Sequence, residues 1–137
     1  MAFQLDDRLA ADTLSLGVID FVDIRLMRDA RYVWLVLVPQ IDNAEEWLDL
    51  PKAEAAGLHE IAMQAADAAR LVAKADKMNV AALGNMVRQL HVHVIARHVG
   101  DMAWPGPVWG VGAPQAYGDD QLQERINALQ AALGLPA

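Results

Sequence analysis

The chain has no cysteine among its 137 residues, so it can form neither a disulfide framework nor a zinc site with thiolate ligands. Positive charge is also scarce, because 11 lysines and arginines stand against 18 acidic residues. The resulting net charge of -7 argues against broad electrostatic attachment to nucleic acid or to an anionic membrane. A phosphate-bearing ligand would therefore have to be held by a few local groups.

Long apolar runs, an export signal and internal repeats are missing as well. No uninterrupted apolar stretch approaches the roughly 20 residues that span a bilayer. The first residues turn acidic at Asp6 and Asp7, before the apolar core of a signal could form. We therefore expect a soluble, cytoplasmic protein without a membrane partner. The length predicts one domain over residues 1–137.

Apolar periodicity predicts strands in the first third of the chain and a helix after it. An apolar run at residues 14–19 and an alternating pattern at residues 22–27 both indicate strands. The apolar run at residues 32–38, which Pro39 ends, suits a central strand that is covered on both faces. Beyond it, apolar residues three or four apart within residues 58–75 predict the long helix of the domain.

The second half of the chain adds two strands, a loop and a helix. Residues 79–83 predict a strand that ends at a turn around Gly84, and residues 87–96 predict a strand that carries histidines. Residues 104–112 are too rich in proline and glycine for a regular element, and residues 119–133 predict a C-terminal helix. Together these elements predict an α+β fold, with a mostly antiparallel five-stranded sheet and its helices on one face. The histidine face would then stay partly open.

Three of the four histidines lie within eight residues, at His91, His93 and His98. Since side chains alternate along a strand, His91 and His93 share one face while Leu90 points to the core. A neutral imidazole whose tautomer is fixed needs no base to attack phosphorus, which makes His91 a candidate nucleophile. His93 could then hold the non-bridging oxygens, and Gln89 would extend the polar row.

The same face admits other interpretations. Asn85 and backbone amides near Gly84 would donate further hydrogen bonds to a phosphate, but a His-x-His pair can also chelate zinc, with His98 as a third ligand. A purely structural role would require partners for four ring nitrogens. Because no cysteine is available and no acidic residue lies between positions 78 and 100, we predict neither a metal nor another cofactor.

Residues 84–97 resemble the signature of the histidine triad (HIT) superfamily of nucleotide hydrolases and transferases. That signature consists of Gly-Gln-Ser/Thr, followed three residues later by a His-x-His-x-His row. The resemblance extends more weakly over the preceding strands and the segment after residue 104. It implies a HIT-like α+β fold, a homodimer with a sheet that continues across both subunits, and chemistry that needs no metal.

The resemblance implies a role for each matching residue. His91 matches the histidine that attacks the α-phosphorus and forms a nucleotidyl-histidine intermediate, and His93 matches the one that helps to hold the phosphate. Asn85 occupies the place of the signature's glutamine. Water or another acceptor would then release the nucleoside monophosphate. In the nucleoside pocket, Asp29 is a candidate to bind the ribose hydroxyls, although an acidic residue there can also simply stabilise a turn.

Three positions depart from the family pattern. Gln89 replaces the first histidine by an amide that cannot shuttle a proton near pH 7, Met86 removes a hydroxyl, and Trp34 lies where many members have a histidine. The predicted site comprises His91, His93 and Gln89 for catalysis and Gly84, Asn85, Asp29 and Trp34 for substrate binding.

The departures suggest a divergent HIT-type enzyme. Because the changes remove polar or titratable groups on the leaving side while the nucleophile stays, we predict hydrolysis or transfer at a phosphoanhydride rather than at a phosphoramidate. The phosphoanhydride would be that of a dinucleoside polyphosphate, of which diadenosine tetraphosphate is an example. The alternative is a nucleotide-binding or sensing protein with little turnover.

Overall fold

The fold is built on a five-stranded sheet, which we describe from a computed structural model covering residues 2–137. The strands are β1 (Thr13–Ile19), β2 (Val22–Met27), β3 (Trp34–Pro39), β4 (Lys77–Ala81) and β5 (Val92–Arg97). They are antiparallel throughout and lie in the order β1-β2-β3-β5-β4. The helices are α1 (Asp7–Asp12), α2 (Lys52–Ala73) and α3 (Asp119–Leu133), with a single 3-10 turn at Trp47–Asp49. This arrangement confirms the predicted α+β fold with its long helix and C-terminal helix.

The larger core lies on the face of the sheet that α2 and α3 cover. Leu35, Leu37, Val92 and Val94 are fully buried there. Full burial of such a side chain is worth about 1.5–3 kcal/mol, so this face supplies most of the apolar stabilisation. Every residue of β3 is buried, as predicted for a central strand. Within the described residues, no helix has the length and apolar character that crossing a membrane would require.

The opposite face carries a smaller core and the histidines. Leu9, Val36 and Ile95 are buried in it, and Phe3 and Leu5 pack against them. The N-terminal segment, which we define as residues 3–12, therefore covers part of this face. The remainder forms the cavities described below, in agreement with the partly open face that was predicted.

The histidine strand begins later than predicted. β5 starts at Val92 rather than at residue 87, because its pairing with β3 begins with Leu37 opposite Val92. Before that point Leu90 donates its backbone N–H to a carbonyl in the loop preceding α2. His91 thus lies at the entrance of β5 and not within the strand.

Helix α1 has no counterpart among the predicted elements. The side chain of Asp6 caps it by accepting a hydrogen bond from the backbone N–H of Arg8 at 2.8 Å. Of the 6 residues of α1, Leu9 alone is buried, so the sequence has no repeating apolar period that would predict this helix. The helix borders the cavities described below.

Candidate active site

His91 and His93 lie side by side on the open face, as the alternating pattern predicts. Their ring centroids are 4.9 Å apart, and the rings are inclined at 73°. His91 is 7% exposed and His93 is 5% exposed, yet both rings line a cavity of about 310 Å³. The pair is therefore largely desolvated and still accessible to a small ligand.

The main chain determines the tautomer of His91. Its Nδ1–H donates to the carbonyl of Gln89 at 2.7 Å, and a carbonyl oxygen can only accept. The proton of the neutral ring is therefore on Nδ1, and Nε2 keeps its lone pair. In this state an imidazole can attack an electrophile without a separate base.

His93 has the opposite tautomer. The indole Nε1–H of Trp34 donates to His93 Nδ1 at 3.0 Å, so the proton of the neutral ring is on Nε2. Burial, and then the neighbouring ring of His91, lowers the pKa of His93 to about 3. Near neutral pH this ring offers a hydrogen-bond donor to the cavity but does not act as a cationic acid.

Two tryptophans form an aromatic wall around His93. Trp34 comes from the start of β3, and Trp109 comes from the loop that precedes α3. The ring centroid of Trp109 lies 5.1 Å from that of His93 and 6.1 Å from that of Trp34. Both indoles line the cavity, so the structure brings Trp34 together with the two histidines.

The turn after β4 forms another wall. Gly84 and Asn85 both line the cavity, together with Met86. Gly84 has a φ of 68°, a left-handed conformation that costs glycine little and side chains more. Asn85 is exposed at the rim, where its amide can reach a ligand. The structure thus brings the turn together with both histidines.

The side chain of Gln89 is directed away from this cavity. Its Oε1 accepts the backbone N–H of Asp6 at 2.8 Å, and its Nε2 donates to the carbonyl of Gln4 at 2.8 Å. The amide is therefore engaged by the main chain of the N-terminal segment. Gln89 contributes to the site through its backbone carbonyl, which orients His91.

Asp29 lies in a second cavity that adjoins the first. This cavity has a volume of about 670 Å³. Asp29 is 2% exposed, pairs with Arg31 at 2.9 Å and accepts the backbone N–H of Gln115 at 3.2 Å. Burial raises the pKa of Asp29, but the hydrogen bonds from Arg31 and Gln115 more than offset it and hold this pKa below its usual value. The residues common to both cavities are Arg8, Asp12, Met27, Trp34 and Trp109.

Comparison with known proteins identifies the family. The profile of the HIT domain matches residues 11–100, which is more than half of the chain. The chain belongs to the HIT domain family. Three solved histidine triad proteins share its fold. The protein of Bradyrhizobium japonicum is 42% identical with a TM-score of 0.95, and the match covers 97% of this chain and 99% of that one. The protein of Marinobacter aquaeolei is 42% identical with a TM-score of 0.95 and 98% coverage of each chain, and that of Sinorhizobium meliloti is 39% identical with a TM-score of 0.93, covering 95% of this chain and 96% of that one. No curated protein matches the chain.

Two charged residues at the site of this HIT protein were not predicted. Arg8 and Asp12 line both cavities from α1. Arg8 Nε lies 4.0 Å from Asp12 Oδ2, and the two side chains are 61% and 56% exposed. Their i, i+4 spacing after the capping residue Asp6 was the available sequence signal for this short helix.

His98, the third zinc ligand considered from the sequence, does not lie beside His91 and His93 in the structure. His98 is exposed, and its Nε2–H donates to the carbonyl of Ala73 at 2.9 Å, at the end of α2. Among residues 2–137, no group of three or more histidines and acidic side chains is placed to hold a metal ion. When neutral, the two imidazoles carry one free lone pair and one N–H at their remaining nitrogens.

Proposed function

We propose that this HIT protein hydrolyses or transfers nucleotides through a covalent nucleotidyl intermediate on His91. The observation that supports this most strongly is the pair of hydrogen bonds that gives the two rings, when neutral, opposite tautomers. Nε2 of His91 has a lone pair, while Nε2 of the adjacent His93 carries a proton. With the ring centroids 4.9 Å apart, one nitrogen can attack phosphorus while the other donates to a non-bridging oxygen.

The proposed reaction has two displacement steps. In the first, the Nε2 lone pair of His91 forms a bond to the α-phosphorus, and the leaving phosphate departs with the electron pair of the broken P–O bond. The Gln89 carbonyl stabilises the imidazolium, because it accepts the hydrogen bond from Nδ1–H. In the second step water attacks the phosphorus, the N–P bond breaks, and a nucleoside monophosphate leaves as the water proton passes to solvent.

We place the nucleoside of the substrate in the second cavity. Its volume of about 670 Å³ exceeds that of the first, and the two cavities share the indoles of Trp34 and Trp109, which offer flat apolar surfaces to a base. The contact of Asp29 with ribose hydroxyls stays a prediction, since its carboxylate also bonds Arg31.

We further propose that the substrate is a phosphoanhydride such as a dinucleoside polyphosphate. A phosphate departs without a proton, whereas an amine needs a general acid, which typically contributes about 10² to 10⁴ in rate. His93 has a pKa of about 3 and cannot supply that proton near neutral pH. Gln89 lacks the titratable imidazole that the family pattern has at this position, and Met86 lacks the hydroxyl. Faster turnover of an adenosine phosphoramidate than of a dinucleoside polyphosphate would contradict this preference.

Trapping of the intermediate tests the covalent mechanism. Mass spectrometry after a rapid denaturing quench should detect a nucleotidyl adduct on His91. His91→Ala should yield none, while His59→Ala, which removes an exposed histidine of α2, should react normally. Tight nucleotide binding without adduct or product would instead support a nucleotide-binding or sensing protein. The observation that favours this alternative is that His93, the ring beside His91, has a pKa of about 3 and cannot act as a general acid near neutral pH.

We also propose that the protein forms a homodimer. β4 lies at the edge of the sheet, where it pairs with β5 on one side. Near this edge, Val80 is 38% exposed and Leu83 is 44% exposed. An open strand edge with apolar neighbours is suited to pairing with a second copy. Static light scattering should give twice the chain mass, and the mass of a single chain at micromolar concentrations would contradict the proposal.

A further inference from the structure

The N-terminal segment, residues 3–12, is joined to the loop that precedes β5. One side-chain amide makes the connection, because Gln89 bonds the backbone N–H of Asp6 and the carbonyl of Gln4, each at 2.8 Å. The next polar link is the bond from His91 Nδ1–H to the Gln89 carbonyl. A single residue therefore contacts the nucleophile through its main chain and the N-terminal segment through its side chain.

The segment that Gln89 holds presents Arg8 to both cavities. The contact of Arg8 with Asp12 is long, at 4.0 Å, and both side chains are mostly exposed. Such surface pairs contribute little to stability, so the guanidinium can rearrange toward an anion. Its planar donors can bind phosphate oxygens in pairs.

Arg8 supplies the positive charge in the lining of the first cavity. Among the described residues that line it, Arg8 is the only lysine or arginine. The whole chain carries a net charge of -7, so long-range attraction does not deliver an anionic substrate. A phosphate beside His91 therefore needs a local counter-charge, and Arg8 is placed to supply it. Asp12 lines the same cavity and would oppose that binding.

We infer that Arg8 binds a phosphate group of the substrate and that Gln89 is a positioning residue which holds Arg8 at the site. This inference rests on the proposed nucleotide chemistry. It adds to that chemistry a cationic group which lies outside the signature at residues 84–97. It also gives the departure at Gln89 a role, since the amide makes a connection to the N-terminal segment.

Calorimetric binding of adenosine 5′-monophosphate tests the role of Arg8. A hydrogen bond to a charged group corresponds to about a tenfold to hundredfold change in affinity, so Arg8→Ala should weaken binding by this factor. Adenosine, which lacks the phosphate, should lose much less affinity on this substitution than the monophosphate does. Arg70→Ala, which removes an exposed arginine of α2 that pairs with Asp67, is the matched charge control and should leave affinity unchanged. Asp12→Asn should strengthen binding, because it removes the opposing carboxylate.

A double-mutant cycle tests the positioning role of Gln89. Gln89→Ala should weaken binding of the monophosphate in the native background but should have no further effect in Arg8→Ala. Hydrogen exchange of residues 4–12 should become faster in Gln89→Ala, while unchanged exchange in the central strand β3 reports that the fold is intact. Additive losses in the double variant would overturn the positioning role, because Gln89 would then act independently of Arg8.

The outcomes separate this inference from the function on which it rests. If the unmodified protein binds neither adenosine 5′-monophosphate nor adenosine, the proposed function fails and the inference fails with it. If the unmodified protein binds the monophosphate and Arg8→Ala binds it equally well, the inference alone is overturned.

Discussion

A carboxamide and an imidazole make different bonds at position 89, and this difference determines what the residue can do. Gln89 has a donor and an acceptor on neighbouring atoms, and both bond the main chain between residues 4 and 6. A neutral imidazole has its donor and its acceptor on separate corners of a rigid ring, so it cannot reproduce both bonds to the same short segment. At this position the side chain therefore makes a structural connection and has no group that titrates.

Restoring the family's histidine should therefore not raise the proposed activity of this protein. We expect Gln89→His to show lower kcat/KM with a dinucleoside polyphosphate and faster hydrogen exchange in residues 4–12, because the connection to the N-terminal segment is lost. Steady-state kinetics and exchange mass spectrometry measure the two effects. Gln123→His, on the exposed face of α3, serves as the control. A tenfold gain in turnover of an adenosine phosphoramidate by Gln89→His would show that proton transfer is what the position lacks.

At the scale of elements, the end of β5 is fixed by one buried arginine. Arg97 is 1% exposed and donates to both carboxylate oxygens of Asp101 at 2.8 Å. It also donates to Asn79 of β4 at 2.9 Å, and its guanidinium lies 5.6 Å from the ring of Trp104. Arg97 thus connects two strands to the loop that carries Trp109 into the site.

Removing this arginine should destabilise the fold more than any surface charge does. Breaking a buried pair typically costs about 3–5 kcal/mol, because the remaining charge is left without a partner, so Arg97→Ala should lower the free energy of unfolding by this amount. Arg97→Lys should cost less, since it keeps the charge but loses the two-pronged contact. Urea denaturation measures both, with the exposed Arg70→Ala as a control expected within about 0.5 kcal/mol of the native protein. A loss below about 1 kcal/mol for Arg97→Ala would contradict the structural role of the pair.

The elements that the sequence predicts well are those with a repeating pattern. The helical period locates α3 at Asp119–Leu133, as observed, and the uninterrupted apolar run identifies β3 as the central strand. Alternation places His91 and His93 on one face. By contrast, the strand predicted from residue 87 onward begins only at Val92, where the pairing with β3 starts. Strand ends depend on partners that no local pattern contains.

The candidate site was predictable to the same extent. The turn at Gly84 and the two histidines follow from local signals. The direction of the Gln89 side chain depends instead on hydrogen bonds to Asp6 and Gln4, which are 83 and 85 positions away from it in the sequence. Arg8 could not be found from periodicity, because α1 has one buried residue in 6. Such long-range hydrogen bonds require the folded chain.

The whole molecule has a net charge of -7, although the site is proposed to bind an anion. Charges more than about 8–10 Å apart are largely screened at physiological ionic strength, so the close groups decide whether a phosphate is held. Arg8, the Nε2–H of His93 and the turn at Gly84 are the groups that we propose for this role. Keeping His93 neutral has a consequence for stability, because the unfolded chain does not share its low pKa.

The free energy of unfolding should decrease as the pH falls below about 6.5. His93 has a pKa of about 3 in the folded protein against 6.5 as its ordinary value, so between these limits the unfolded chain binds more protons and acid favours unfolding. One pKa unit corresponds to about 1.4 kcal/mol, so the loss reaches several kcal/mol near pH 3. Asp101, whose pKa the hydrogen bond from Arg97 lowers to about 2, adds its own loss below about pH 4.

Urea denaturation between about pH 7 and pH 4.5 isolates the contribution of His93, because Asp101 remains ionised in both states over most of this window. His93→Gln keeps an acceptor for the indole N–H of Trp34 but does not titrate, so its stability should depend much less on pH. Gln123→Ala, which removes an exposed side chain of α3 that does not titrate, should retain the native slope. An equal slope in His93→Gln and the native protein would mean that protonation of His93 does not oppose folding, and the neutral ring in the proposed mechanism would lose its physical basis.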